Sequence, residues 1–259
     1  MRLMSYYSKR VAVTGASGGL GAALANALEE AGATVDRISR SNVAHGMHPA
    51  TWAPWKYEMV FLNAGFGMLE YATTPLVTSD FDAMVRVNLI DTIKDAQSAL
   101  SRGCLHVHVV GSIISVVSSP LYSLYAATKY GLRGWSYGAA RELPGRVSIS
   151  YPNGIRTPYF AHLRGNMDVL ASYAAQVDQA QANYDTPEAV AWGILDGIAL
   201  GAREIIPTQY SLEWFMRNEE DIRRMWLPGL TQPSLVEYPW WQEVRTHWQS
   251  TQPQAVQEE

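Results

Sequence analysis

One thiol, Cys104, stands among 259 residues. A single cysteine cannot close an internal disulfide, and no Cys/His spacing has the pattern of a zinc site, so a reducing compartment, the cytoplasm, is expected. Charge is also sparse: 17% of residues are Asp, Glu, Lys or Arg, and 20 cations against 24 anions leave a net charge of −4. With no cluster of Lys and Arg there is no broad positive field, which argues against a nucleic-acid partner and for a small molecule. Long apolar runs are missing too. The longest, Leu105 to Val117, is broken by two His, a Gly and two Ser and is well short of the roughly 20 residues that cross a bilayer. Met1 to Arg10 lacks the apolar core of a signal peptide, so neither an export signal nor a transmembrane segment is expected.

What is present is enough apolar material for one large core. Hydrophobic residues make up 47% of the chain, too many for a disordered protein, and the length suits a single α/β domain better than two equal ones. Short β-rich runs alternate with longer Ala-rich stretches: Arg10–Thr14, Leu20–Ala31, Thr34–Ile38, Met59–Leu62, Phe81–Leu100, Leu105–Val110, Tyr125–Glu142 and Val147–Tyr151. This alternation predicts a doubly wound parallel sheet with helices on both faces. The continuous apolar character of VAVT, MVFLN and HVHVVGS marks central strands covered on both sides. Pro187, behind Asp185 or Thr186 as N-cap, opens a helix to about Ala199, and a last strand, Glu204–Pro207, follows. Ser41 to Tyr57 interrupts the pattern: two prolines, two His and two Trp with no helical period, as though a helix were missing. Five of nine tryptophans fall in the last 46 residues, where SLEWFMRNEEDIRRMWL has the spacing of an amphipathic helix. A main domain over 1–207 and an aromatic-rich extension over 208–259 are expected.

Glycines 15, 19 and 21 stand between a strand and an amphipathic helix. Backbone N–H groups at a helix N-terminus bind a pyrophosphate, and residues without Cβ let the main chain approach it. Thr14-Gly15-Ala16-Ser17-Gly18-Gly19-Leu20-Gly21 has the TGxxxGxG spacing, and three more motifs follow in order. Asn63-Ala64-Gly65 comes after a strand, Tyr125-Ala126-Ala127-Thr128-Lys129 opens a helix, and Pro152-Asn153-Gly154-Ile155-Arg156-Thr157 follows another strand. Together these motifs resemble the short-chain dehydrogenase/reductase family, over approximately Arg10 to Pro207.

The resemblance implies a Rossmann-type fold and an NAD(P)-dependent oxidoreductase acting on a small carbonyl or alcohol. Tyr125 and Lys129, four apart, share a helix face. An ammonium beside a phenol favours the phenolate and draws its pKa from about 10 towards the working range. By resemblance Ser112 holds the substrate oxygen, Tyr125 exchanges its proton, Lys129 tunes Tyr125 and bonds the nicotinamide ribose, and Asn88 occupies the fourth catalytic position. Gly15, Ser17, Gly18, Gly19, Leu20 and Gly21 are expected to cradle the pyrophosphate. Asn63, Ala64 and Gly65 are expected below the adenosine ribose, with Asn63 alternatively a brace of the sheet. Pro152, Ile155 and Thr157 are expected beside the nicotinamide.

The residue ending the second strand discriminates between the two cofactors. Counting 24 from Gly15 gives Ser39 followed by Arg40, which resembles the NADP-preferring pattern because the planar guanidinium suits a phosphate. If the strand ends early, Asp36 holds the ribose instead and NAD is preferred. Between Ser112 and Tyr125, and around Pro158, Tyr159, Phe160, Leu163 and Met167, apolar groups dominate, so a lipophilic ketone or secondary alcohol is expected, although Arg156 or Arg164 could bind an acidic group. His106 and His108 face one side of a strand; two ligands without a third do not make a metal site, and none is assigned. Gly131, Gly134, Gly138, Ala139 and Ala140 would allow close helix pairing, and by resemblance a homodimer or homotetramer is expected. The reading from another class is an NADP-binding regulatory or scaffold protein without turnover.

Overall fold

The computed structural model describes residues 6–39, 57–72, 78–165, 170–171 and 181–217. The apolar runs become the middle of a six-stranded sheet: β1 (Arg10–Thr14), β3 (Met59–Leu62), β5 (His106–Val110) and β6 (Val147–Ser150) are buried along nearly all their length. With β2 (Thr34–Ile38) and β8 (Glu204–Ile205) at the ends, the order is β2-β1-β3-β5-β6-β8 and every pairing is parallel. The chain leaves β1 in one direction and returns on its other side, so the strand order reverses between β1 and β3. A crevice opens there at the carboxyl ends of the strands.

Helices cover both faces. On one, α1 (Gly19–Glu30) packs against α5 (Pro187–Ala199), with Leu24, Leu28, Val190 and Ile194 fully buried against Val11, Val13 and Phe61. Each such side chain contributes about 1.5–3 kcal/mol through burial. Thr186 is the N-cap of α5, its Oγ1 accepting from Ala189 N at 3.1 Å, with Pro187 in the first turn. On the other face lie α2 (Thr78–Val85), α3 (Thr92–Ser101) and α4 (Ser123–Glu142). A small second sheet pairs β4 (Met68–Leu69) with β7 (Arg164–Gly165), and α6 (Gln209–Arg217) closes the described chain.

The helix expected over Phe81–Leu100 is corrected. It starts at Thr78 and is divided by a π-helical segment, Arg86–Asp91, between α2 and α3. Thr92 Oγ1 donates to Val87 O, five residues back, at 3.1 Å, a bond that supports a turn wider than the α-helical one. The last strand is also shorter than Glu204–Pro207. Pro207 has no N–H for a ladder, and its carbonyl passes so close to α5 that a Cβ on Gly193 would lie 1.8 Å from it.

Among the described residues β2 pairs only with β1 and is a sheet edge, which accounts for charged residues inside it. Asp36 accepts from Arg10 at 3.1 Å and from the Tyr57 hydroxyl at 2.7 Å, and Arg37 reaches Glu29 and Asn26 on α1. Ser41–Lys56, Arg40, Met167 and the four tryptophans beyond Trp214 lie outside the described residues.

Candidate active site

The glycine turn leads from β1 into α1. Gly15 and Gly19 have φ of +68° and +54°, the left-handed region that glycine adopts without strain. Gly21 is needed for space: its Cβ would lie 2.2 Å from Gly15 O. At Gly18 a Cβ would find nothing within 4 Å, so the turn faces open space there. Gly18 is the N-cap of α1 and supplies no side-chain cap, and the first turn carries no acidic residue. An uncapped helix start with its positive dipole end accessible suits an anion. Ser17 is exposed, whereas the Leu20 side chain belongs to the core, leaving only its backbone for a ligand.

Thr14, which is not among the expected site residues, ties the crevice together. Its Oγ1 accepts from Asn63 N at 2.9 Å and Ala64 N at 3.0 Å, while Asn63 Nδ2 donates to Thr14 O at 3.1 Å. Asn63 is therefore a brace between β1 and β3. Thr157 closes the same side, its methyl 3.4 Å from where a Gly19 Cβ would stand. The second strand ends at Ile38, so Ser39 is the first residue beyond it and Asp36, already engaged by Arg10 and Tyr57, lies within the strand.

On the other side of the crevice, α4 places Tyr125 and Lys129 on one face, both buried, with Lys129 Nζ 5.7 Å from the Tyr125 ring centre. Nζ donates to Val110 O at 3.0 Å, which uses one of three ammonium donors and leaves two for a ligand. Asn88, inside the π-helical segment and 1% exposed, clasps the backbone of Phe66: Phe66 N donates to Oδ1 at 3.0 Å and Nδ2 donates to Phe66 O at 2.8 Å. Nδ2 also lies 3.3 Å from Thr128 Oγ1, which donates to Tyr125 O. Gly65 stands where these meet, since its Cβ would be 3.0 Å from Asn88 Oδ1 and 3.9 Å from Lys129 Nζ.

Ser112 heads a short 3-10 turn, Ile113–Ser115, through a reciprocal cap: its Oγ accepts from Ile114 N at 3.2 Å while its own N donates to Ser115 Oγ at 3.1 Å. With the acceptor side held, the hydroxyl proton remains for donation. The S-x-x-S spacing is the trace that such a cap leaves in the sequence, and through it Ser115 joins the expected site residues. Ile113 N donates to Pro152 O at 2.9 Å, joining the Ser112 turn to the segment after β6.

That segment is held at every step. Asn153 N donates to Ser211 Oγ at 3.1 Å, Asp185 N to Gly154 O at 3.2 Å and Arg156 N to Asp185 O at 2.9 Å. Burial raises the Asp185 carboxyl above its usual range, opposed by hydrogen bonds from Thr208 and Ser211 and by the Arg156 charge. Above the crevice, Arg164 of β7 lies 4.4 Å over the Phe66 ring and pairs with Asp80 at 2.7 Å. His106 and His108 are packed and hydrogen-bonded through Ser148, and no metal-binding cluster occurs among the described residues.

A scan against protein-family models finds no match, and neither does a search of curated proteins. Solved structures do match. A short-chain dehydrogenase from Burkholderia cenocepacia in complex with NADP has a TM-score of 0.68 at 21% identity, covering 85% of this chain and 96% of that one. A short-chain dehydrogenase/reductase from Burkholderia phymatum in complex with NAD has the same TM-score at 18% identity, with 85% and 96% coverage. A short-chain dehydrogenase from Sphingobium yanoikuyae in complex with NADPH has a TM-score of 0.62 at 17% identity, with 89% and 100% coverage. The chain has the fold of the short-chain dehydrogenases, a Rossmann-type parallel sheet.

Proposed function

We propose that the protein is a nicotinamide-dependent oxidoreductase of the short-chain type, interconverting a small, predominantly apolar ketone and the corresponding secondary alcohol. The observation that carries this reading is the meeting of Tyr125, Lys129, Asn88 and Gly65 across the crevice from an uncapped, glycine-lined helix start. When bound, the nicotinamide supplies the hydride or accepts it. Gly15, Ser17, Gly18, Gly19, Leu20 and Gly21 hold the pyrophosphate through the backbone, Ala64 and Gly65 flank the adenosine ribose, and Pro152, Ile155 and Thr157 back the nicotinamide. Lys129 turns its two remaining donors to the ribose and to the Tyr125 side. Ser112 donates to the substrate oxygen, and Tyr125 gives that oxygen its proton in reduction or removes it in oxidation.

NADP is preferred in this reading. Ser39 directly after the strand and Arg40 next to it suit the extra phosphate, and the engagement of Asp36 by Arg10 and Tyr57 takes it away from the ribose. An uncharged substrate is supported by the buried Ile114, Val116 and Val117 beside Ser112, and by Arg164, whose charge Asp80 answers. Turnover of a panel of ketones with NADPH and NADH is the test. Tyr125→Phe is expected to abolish turnover while cofactor binding, followed by fluorescence titration, stays within about two-fold, because the phenol ring packing is kept and only the hydroxyl is lost. Cofactor binding without turnover of any substrate supports the regulatory alternative, and tenfold tighter binding of NAD than of NADP overturns the cofactor preference.

A further inference from the structure

Glu204 opens β8, a two-residue strand paired only through Ile149 and Ser150, and its side chain is 7% exposed. Taking a carboxylate out of water costs about as much as pairing it returns, so a buried ion pair contributes little to stability and calls for another reason. The Oε1 atom of Glu204 accepts from two groups that come from different elements. The hydroxyl of Tyr151, a residue 2% exposed just beyond β6, donates to it at 2.5 Å, and Arg133 Nε donates to it from α4 at 3.4 Å. The Arg133 guanidinium also stands over the Tyr151 ring, 5.8 Å from its centre. Burial raises the Tyr151 phenol well above its usual range and the Glu204 charge raises it further, so the hydroxyl remains a donor.

Two short chains of contacts lead from this carboxylate to the candidate reaction centre. Tyr151 N donates to Ile205 O at 2.8 Å, and the next residue, Pro152, accepts through its carbonyl from Ile113 N, beside Ser112. On the other side, Arg133 is one helical turn beyond Lys129, and Lys129 is one turn beyond Tyr125. One oxygen thus joins the segment that supports the Ser112 turn to the helix that carries Tyr125 and Lys129. An apolar contact at this place would hold the two elements together but leave the helix free to turn, because hydrophobic contact has no direction. Charge-assisted hydrogen bonds do have direction.

We propose that Glu204, Arg133 and Tyr151 are positioning residues that fix the rotation of α4 against the segment after β6, and with it the approach of Lys129 and Ser112 to Tyr125. The inference rests on the oxidoreductase reading above and deepens it. The three act through Lys129 and Ser112 rather than on the substrate.

Arg133→Met, Tyr151→Phe and Glu204→Leu together exchange the triad for apolar side chains of similar size. The thermal midpoint of this triple variant is expected to equal or exceed that of the wild type. Its kcat for ketone reduction falls about tenfold, because reacting groups tolerate little displacement. Alcohol oxidation rises with pH as the Tyr125 phenol loses its proton, and the apparent pKa of that rise moves upward, since an ammonium held less closely favours the phenolate less. Arg133→Met with Glu204→Gln is the milder variant should the triple one not fold: both charges go, the Tyr151 hydroxyl keeps an acceptor, and both changes are expected in the same direction. The apparent pKa decides the matter where the midpoint also falls, because loss of folded protein lowers turnover and leaves the pKa of the remaining enzyme where it was. An apparent pKa equal to that of the wild type in the folded variant overturns the proposal, whatever the turnover or the midpoint. Wild-type protein that turns over no alcohol or ketone overturns the oxidoreductase reading before any variant is made, whereas wild-type behaviour retained in the variants overturns this inference alone.

Discussion

At the scale of single residues, the glycines of the first turn divide by what surrounds them. A Cβ on Gly21 would meet Gly15 O at 2.2 Å, and one on Gly18 would meet nothing within 4 Å. Gly21→Ala is thus expected to lower the thermal midpoint of the protein and its cofactor affinity together, since backbone must move to admit the methyl group. Gly18→Ala is expected to leave the midpoint of the ligand-free protein unchanged or slightly raised, as the unfolded chain loses freedom, while weakening NADPH binding at least about tenfold if the open space holds the pyrophosphate. Scanning calorimetry and fluorescence titration of both variants check this, and equal NADPH affinity of Gly18→Ala and wild type would remove the pyrophosphate from that turn. The glycine spacing was legible in the sequence because turn chemistry is local. The part played by Thr14 was not: a threonine at a strand end is ordinary until β3 arrives beside it and places two N–H groups, 49 and 50 residues away, on its hydroxyl.

At the scale of elements, β5 and β6 share a buried hydrogen-bonded ladder. His106 Nδ1 faces Gly145 O, so that nitrogen carries the proton and Nε2 accepts from Ser148. Ser148 Oγ in turn accepts from His108 Nδ1, and His108 Nε2 accepts from Ser150. One carbonyl at the end of the chain fixes the direction of every bond, and both rings are neutral. Burial lowers the pKa of His106, and that of His108 far more, with the neighbouring His106 adding to the effect. The unfolded chain therefore binds more protons than the folded one below about pH 6.5. Stability is flat in this respect above that pH and declines as pH falls through and below it, by up to about 1.4 kcal/mol per pH unit for each histidine. Urea unfolding between pH 4 and pH 8 is expected to show the decline, and His108→Asn, which does not titrate, is expected to lessen its slope by about one proton; an unchanged slope would assign it elsewhere. That the two histidines face one way was readable from strand alternation. Their serine partners on β6 were not, because register is set by which strands come to lie together. The division of the Phe81–Leu100 helix was hidden for a related reason: its period continues through the π-helical segment, and only Asn88 reaching Phe66 and Thr92 reaching Val87 distinguish the wider turn.

For the molecule as a whole, α4 carries the candidate catalytic pair and turns its other side outward. A Cβ on Gly134 or Gly138 would meet nothing within 4 Å, and Tyr137 between them is 41% exposed, whereas Gly131 faces Leu89 within the fold. We propose that the protein is a homodimer or homotetramer paired through this side. Light scattering coupled to gel filtration is expected to show an assembly for the wild-type chain and a smaller species for Gly138→Trp, in which the indole fills the space of a neighbouring helix. A monomeric wild-type protein would end that proposal. No described helix is long and apolar enough to cross a membrane. The first residues of the extension do not stand apart from the domain that holds the sheet: Ser211 is fully buried and Phe215 nearly so, with Ser211 bonded to the segment beside the candidate site.

The amino-acid sequence by itself determined the local features. Strand limits at Arg10–Thr14, Thr34–Ile38 and Met59–Leu62, the start of α5 behind Thr186, the glycine turn and the four-residue spacing of Tyr125 and Lys129 all follow from side-chain period, capping and backbone freedom within a few residues. The tertiary structure decided which polar groups are answered and which are not. Asp36 is paired with Arg10 and Tyr57, Asn63 with Thr14, and Ser112 with its own turn, whereas the Asn153 amide is left over. The physical reason is that a hydrogen-bond partner and a loss of water both arrive from elsewhere in the chain. Ser211 comes from 58 residues away to hold Asn153, and no periodicity or motif around either residue contains the other.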